Sequence, residues 1–559
     1  MSTQNVIETD VLVIGGGIAG CFAAIKAREK GLDVTIVDKA FSGKSGASIS
    51  APAGWLAYNP EWDLDFDAIL HAMDVDGEYI NHREWCDIIL RKTYDVYKDL
   101  VSWGVTFPEN IGQMAAAISP PYPNVPQGFR RIPPILKKQA QKAGAVIMNQ
   151  IMVTELLQQD DKSIVGAIGF AIETGDCYVF KSKATALCGG SNSFKPPGFP
   201  IHMLTGDAEA MAYRAGAEIT GKEFNCTTHP TGAKYPAGLF AIRRVGPPAF
   251  AGLYRDGLGN EVPHNKGGTA EPDLRLEQLA HEGLTPLMSK VDDPWMLGFM
   301  KHVFGEFAQN LDDVQLAGGA AAGYQNAGTG GIWVTDKKCG TGLPGLFVAG
   351  DCGGTRHNGA FIANVGNGTG PSAVTGKIAG AGAAEYALQA KKMKINEKYI
   401  AGRKNIVYAP MERKTGYNPR WVTQLLQNTM IPYFVSYIKH EARLQAAITN
   451  VEFLRDHLVP RMYAKDPHEL KLVHETGNMV LAAEMILRAS LFRKESRGAH
   501  FREDYPKRDD PAWLAWTKLK EVNGNMEVSK VAIPKKWWPD LSKSYEERYP
   551  STFSHEPEK

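Results

Sequence analysis

The alternation of apolar and polar positions divides the chain into recognisable elements. Residues 10–14 are an apolar, β-branched run, a glycine-rich turn follows, a helical stretch reaches about Lys30, and residues 34–37 form a second apolar run ending at Asp38. Strand, helix and strand in that order predict a βαβ unit. Between residues 65 and 107 two amphipathic helical patterns end in "SWGVTF", with Gly104 as a C-cap. The stretch "IVGAIGFAIETGDCYVFKSKATALC" predicts two strands around a Gly175-Asp176 turn. From about His229 to Asn326 the pattern shifts to prolines, glycines and short strands, then helical segments after Pro272. Apolar strands return in "AGTGGIWVTD" and "GLPGLFVAGD", and a helical region occupies about 395–510. One helix start there is well marked: Asp466 as N-cap, Pro467 first and Glu469 third form a capping box. Beyond it Leu472, Val473, Thr476, Val480, Ala483 and Leu487 share one face and read as core. The segment after about 511, with Trp537, Trp538 and several prolines, reads as a tail over a neighbouring surface.

The turn of the first βαβ unit carries Gly15-x-Gly17-x-x-Gly20. The first glycine makes the tight turn, the second admits a pyrophosphate close to the backbone, and the third lets helix and strand pack. The phosphate sits on the helix N-terminus, and Asp38, about 20 residues on, faces ribose hydroxyls. The later strand ending in Gly350-Asp351 suits a ligand longer than NAD, bound at its far end after the chain returns.

Composition adds mainly exclusions. With 559 residues the chain is too long for one core. With 62 Lys+Arg against 61 Asp+Glu, nothing forecasts nucleic-acid or membrane-surface binding. No apolar run approaches the roughly 20 residues that span a bilayer, and the N-terminus lacks a signal-peptide pattern, so a cytoplasmic protein without direct membrane insertion is expected. Seven scattered cysteines with no Cys-x-x-Cys pair give no zinc or iron–sulfur site, so no metal ligand is assigned and any cluster belongs to another protein chain.

Several stretches in a fixed order carry a family resemblance: "GGGIAG" at 15–20, "SGKSGASISAPAG" at 42–54, "ALCGGSN" at 186–192, "LTGDAEAMAYRAGAEI" at 204–219, "HPTG" at 229–232, "TGLPGLFVAGDC" at 341–352 and "ESRGAHFREDYP" at 495–506. Together they resemble the flavoprotein subunits of the succinate dehydrogenase/fumarate reductase superfamily, which includes adenylylsulfate reductase alpha subunits and L-aspartate oxidase. The resemblance implies an α/β fold: a Rossmann-like FAD-binding domain of the two-dinucleotide flavoprotein type, an inserted α+β capping domain and a C-terminal helical domain. The expected divisions are 1–228 and 326–394 for the FAD-binding domain, 229–325 for the cap, 395–510 for the helical domain and 511–559 for the tail.

The same resemblance implies FAD held by Gly15, Gly17, Ile18, Ala19, Gly20, Asp38, Lys39, Ser45, Gly46, Ala47, Ser48, Val153, Gly189, Asp207, Gly350, Asp351 and Asn367. Covalently flavinylated members have a histidine after the serine where this chain has Gly46, so noncovalent FAD is expected. In the dicarboxylate branch substrate is held by a histidine opening the cap, a Thr-Glu pair, a second histidine and an arginine. Here His229 matches the first, but Ala241-Ile242, Asn326 and Phe361-Ile362 replace the others. Those losses argue against succinate or fumarate. Arg243, Arg244, Arg356, His229 and His357 remain as groups to converge on an anion, and Arg275 stands loosely where the family's proton-donating arginine lies. Charged residues around Glu495, Arg497, His500 and Arg502 read as a lock between helical and FAD-binding domains.

The expected activity is two-electron transfer to or from a small anionic organic substrate, first at a carbon–carbon bond. The alternatives are an adenylylsulfate-reductase-like enzyme acting on a sulfur compound and an oxygen-using oxidase. The expected electron partner is a small ferredoxin-like iron–sulfur subunit, with oligomeric state open.

Overall fold

The computed structural model describes residues 4–50, 55–105, 124–125, 132–196, 201–225, 231–232, 254–260, 284, 287–288, 314–317, 322–325, 328–362, 368–390 and 395–549. Strand β1 (Gln4–Ile14) leads through the glycine turn into helix α1 (Ile18–Arg28) and strand β2 (Val34–Val37). Strands β3 (Val146–Met148), β4 (Ile151–Gln158), β5 (Ile164–Ala171) and β6 (Cys177–Leu187) follow. The main sheet runs β3-β2-β1-β6-β5-β4. β1, β2, β3 and β6 are parallel, whereas β5 pairs antiparallel with β4 and, across the Gly175 turn, with β6.

β6 has two destinies along its length. Its first half pairs with β5, and its last residues pair with the return strand Leu346–Val348, so that Thr185 lies between Leu12 and Leu346. The two ends of the chain's nucleotide-facing part are thereby fixed in one sheet. Helix Thr369–Gln389 packs on α1 at very short range: a Cβ on Gly376 would lie 2.4 Å from the Ala19 carbonyl oxygen, and one on Gly380 would lie 2.2 Å from that of Ala23. Any side chain there would push the helix off α1 and displace the turn that α1 begins.

The helical region contains the 26-residue helix Pro467–Phe492. Asp466 caps it by accepting from the Glu469 amide at 2.8 Å, while the Glu469 carboxylate accepts from the Lys465 amide at 3.0 Å, one residue before the position a reciprocal box requires. Val473, Thr476, Val480, Ala483 and Leu487 are buried and Leu472 is half-buried.

The segment after 511 differs from the tail read in the sequence. Ala515–Val522 and Asn525–Ala532 form an antiparallel hairpin, and the first of these strands pairs with Ile219–Thr220. That short strand also pairs with Gly331–Trp333, so residues separated by about 300 positions complete one five-stranded sheet. No described helix is long and apolar enough to cross a membrane.

Candidate functional site

A cavity opens over the end of β1, with about 910 Å³ of empty space when its solvent-open mouth is included. Gly15, Gly17, Ile18, Ala19, Asp38, Lys39, Ser45, Gly46, Ala47, Ser48, Val153, Gly189, Asp207, Gly350 and Asp351 all line it. Gly20 lies behind the lining: a Cβ there would stand 1.8 Å from the Gly15 carbonyl oxygen, so only glycine lets α1 start this close to the turn. Gly15 itself has φ +106°, and a Cβ on it would meet the Cys188 carbonyl oxygen at 2.3 Å. The sequence missed an apolar wall of Met203, Leu204 and Met211, and Ser372 at the floor.

The residues present fit a dinucleotide. Gly17 caps α1 with no side-chain hydrogen bond, the first turn carries no acidic residue, and Lys26 and Arg28 occupy the last turn. The amide end of the helix dipole therefore faces the cavity, where it favours phosphate. Ser48 Oγ accepts from the Ile18 amide at 3.2 Å, which holds the 45–48 loop over that turn. Asp38 is aimed by two backbone amides: Gly16 donates to one oxygen at 2.8 Å and Ala40 to the other at 2.7 Å.

Lys39 and Asp207 line the cavity but face each other as well. Lys39 Nζ lies 2.7 Å from Asp207, 2.8 Å from Glu475 and 2.8 Å from Thr205 Oγ1. Asp207 also accepts from Asn478 Nδ2 at 2.8 Å, and Lys195 lies 3.0 Å from Glu475. Burial pulls Lys39 down, but Asp207 and Glu475 outweigh it and hold the ammonium above its ordinary range. Burial pushes Glu475 up, yet Lys39 and Lys195 outweigh that and bring it down to about 2. Glu475 and Asn478 were not recognised in the sequence as part of this site. The available signal was a carboxylate and an amide on turns of a helix otherwise rich in apolar residues.

His357 is buried, with Nδ1 2.8 Å from Thr355 Oγ1 and Nε2 3.3 Å from Asn358 Nδ2. The ring packs on Gly328, where a Cβ would come within 2.2 Å of it. It does not line the dinucleotide cavity. Phe361 and Ile362 are buried apolar residues, Phe361 packing with Ala499. His229, Arg243, Arg244, Arg275 and Asn367 lie outside the described residues, as do Ala241, Ile242 and Asn326.

The lock expected around Glu495 forms, with more partners than the sequence suggested. Arg493 meets Glu223 at 2.9 Å and Glu495 at 2.6 Å, Arg497 meets Glu495 and Asp510 at 2.7 Å each, and Arg502 meets Asp504 at 2.6 Å. Arg508 grips Glu78 with two hydrogen bonds of 2.8 and 2.9 Å. His500 stands apart electrically: burial pulls it well below its ordinary value, and Lys439 Nζ contacts its Nδ1 at 3.0 Å.

Comparison with known proteins places this geometry. The FAD binding domain family matches residues 10–265, and the fumarate reductase flavoprotein C-terminal family matches residues 423–545. The chain is 26% identical over 542 residues to a fumarate reductase (CoM/CoB) chain of Methanothermobacter marburgensis, covering 91% of this chain and 96% of that one. It is 25% identical to the fumarate reductase flavoprotein subunit of Mycobacterium tuberculosis, covering 96% and 99%. Among solved structures, E. coli quinol fumarate reductase superposes with a TM-score of 0.80 at 19% identity, covering 97% and 99%. Adenylylsulfate reductase from Archaeoglobus fulgidus gives 0.77 at 21%, covering 97% and 98%; both likenesses are of fold.

Proposed function

As the chain belongs to the succinate dehydrogenase/fumarate reductase flavoprotein superfamily and is an FAD-dependent oxidoreductase, we propose that it transfers two electrons to or from an anionic organic substrate at a carbon–carbon bond. We further propose that this substrate is neither succinate nor fumarate. The observation that carries this second point is the burial of Phe361 and Ile362 at the position where the dicarboxylate branch has its carboxylate-holding arginine. Neither side chain can donate a hydrogen bond, and a carboxylate placed against them would lose its hydration without replacement.

Bound FAD supplies the hydride-transfer chemistry. The chain's residues supply position and charge. The turn from Gly15 to Ala19 at the start of α1 would hold pyrophosphate, Asp38 would orient ribose, and Ser45 to Ser48 would lie beside pyrophosphate and flavin without a covalent bond, since Gly46 has no side chain to form one. In this reading His229, Arg243 and Arg244 of the segment 229–325 meet the anion, His357 faces it from the loop after Gly350-Asp351, and Arg275 is the proton donor. Guanidinium groups suit the anion-holding part of this reading, that of Arg243 and Arg244, because they hold carboxylates through paired hydrogen bonds and keep their charge. The proposed electron partner is a small iron–sulfur subunit of the ferredoxin type.

The test is anaerobic reoxidation of the bleached holoenzyme against a panel of unsaturated monocarboxylic and dicarboxylic acids, sulfur oxyanions and oxygen. An unsaturated acid other than fumarate is expected to react fastest, with the rate falling in H229N and R244M. Fastest reaction with fumarate overturns the lost-clamp argument, and fastest reaction with a sulfur oxyanion or oxygen overturns the carbon–carbon assignment.

A further inference from the structure

Five arginines among the described residues are buried, and one differs from the rest. Arg493, Arg497, Arg502 and Arg508 each touch a carboxylate within 3 Å. Arg356, 3% exposed, touches none, and its Nε and Nη1 have no hydrogen-bond acceptor among the described residues. Its guanidinium carbon sits 3.7 Å from the centre of the Trp333 ring and 4.6 Å from that of Trp516. Burial alone pulls it down to about 9, so it remains a cation near neutrality. The backbone is also held in the left-handed region, at φ +58°.

A second unpartnered group lies beside it. The Arg356 carbonyl accepts from the His82 amide at 2.8 Å, and the His82 ring stacks on Trp516 at 5.2 Å with planes 8° apart. His82 heads the helix Arg83–Ser102 without capping it, and its Nδ1 has no partner among the described residues. Burial and then Arg356 pull its pKa to about 4, so it is neutral at pH 7. The other charges recorded around it are Glu84 and Lys337, which face each other at 3.4 Å. Trp516 belongs to an apolar cluster with Ile80, Phe224, Leu514 and Trp537, and on the Trp333 ring Lys518 stands 4.7 Å from the centre, paired with Glu218 at 2.8 Å.

An isolated buried guanidinium is unfavourable unless an anion neutralises it, and the described residues place none there. We propose that Arg356 and His82 form a binding site for a carboxylate monoanion, supplied from outside the chain and separate from the dinucleotide cavity, which neither residue lines. The guanidinium carbon lies over two indole rings whose planes are 76° apart, and its Nε and Nη1 are the donors left for an acceptor, the pair of nitrogens suited to a carboxylate. One cation among aromatic groups balances one negative charge; a dianion would leave a buried excess. The carboxylate is that of a small organic acid or of an acidic side chain on a partner protein. The proposal does not rest on the reading of the flavin site, and either can fail alone.

The test is titration of the flavin-loaded protein at constant ionic strength with acetate, propionate, benzoate and the blocked peptide acetyl-Gly-Glu-Gly-amide, against sulfate and chloride. Tryptophan emission and the melting midpoint are followed. A saturable response is expected for at least one carboxylate, about tenfold tighter than for sulfate. Saturation by free acids marks a small-molecule site, and a response confined to the peptide marks a partner side chain. R356M should abolish the response and melt above the wild type in anion-free buffer, because it removes an uncompensated charge. No saturable carboxylate response in the wild type overturns the proposal without any variant, as does an R356M protein that still responds.

Discussion

Replacing Lys39 by methionine removes the cation from between two carboxylates that the fold has already buried. Asp207 and Glu475 lie 2.7 and 2.8 Å from Nζ, and the Glu475 side chain is only 1% exposed. Lys195, at 3.0 Å from Glu475, remains, but nothing equivalent remains for Asp207 beyond hydrogen bonds from Thr205 and Asn478. Breaking a buried pair from one side costs about 3–5 kcal/mol. Against the cost of its burial Glu475 is held near 2 rather than its ordinary 4.5 by Lys39 first, then by Lys195 and Lys471, so K39M removes the largest of the cations that keep it ionised. Because this carboxyl is depressed, its contribution is present above pH 4.5 and lost as pH falls from 4.5 towards 2. The assay is a cycle of wild type, K39M, E475Q and K39M/E475Q, measured by flavin-release melting and denaturant unfolding at pH 7 and pH 4. K39M should lose about 3–5 kcal/mol at pH 7 and release FAD more readily, since Lys39 lines its cavity. The double variant should recover about 2 kcal/mol of that, and E475Q should approach the wild type as the pH is lowered. Additivity within about 0.5 kcal/mol, or a K39M loss below about 1 kcal/mol, would refute the reasoning.

Two further outcomes follow from packing and ion geometry. G20A places a Cβ 1.8 Å from the Gly15 carbonyl oxygen, so the variant should purify with little or no flavin, read from absorbance at 450 nm against 280 nm. R497K keeps the charge but loses the fork that reaches Glu495 through two nitrogens, and Asp510, Tyr549 and the Glu78 carbonyl besides. It should lower stability by about 3 kcal/mol in a melt, a loss that a single ammonium cannot make good.

The parts legible in the sequence are those whose cause is local. The βαβ unit, the glycine turn, the Gly175 hairpin and the Asp466 cap each depend on residues within a few positions of one another. The same turns meet at one cavity, which Gly15, Asp38, Ser48, Gly189 and Gly350 line. The hairpin after 511 was illegible because its partner is a two-residue strand, Ile219–Thr220, which carries no period of its own. Lys39 shows the same limit at the level of one side chain. Its place beside Asp38 indicated the cavity, but its bonds to Glu475 depend on a helix more than 400 residues away. That helix was read from its apolar stripe, and a stripe says nothing about polar residues on a second buried face. The Glu495 lock was legible as a dense charge cluster that runs on to Asp510; Glu223 and Glu78 were not, because nothing nearby in sequence marks them as partners.

One helix connects these buried charges. Glu475 stands in the third turn of Pro467–Phe492 and binds Lys39 beneath the cavity, while Arg493 follows the helix directly and binds Glu223. Eighteen residues at 1.5 Å each put the two anchors about 27 Å apart, well beyond the roughly 8 Å over which charges interact in physiological salt. They therefore act as separate electrostatic fixings on one rigid element. Glu223 is two residues before the last described residue preceding the segment that carries His229, and Thr517 of the C-terminal hairpin donates to its other oxygen at 2.6 Å. The strand that leads into the segment 229–325 is thus tied to the helical region and to the hairpin at one carboxylate. The floor of the dinucleotide cavity is tied to the same helix at another. The two fixings thereby tie the dinucleotide cavity and the start of that segment to one rigid helix.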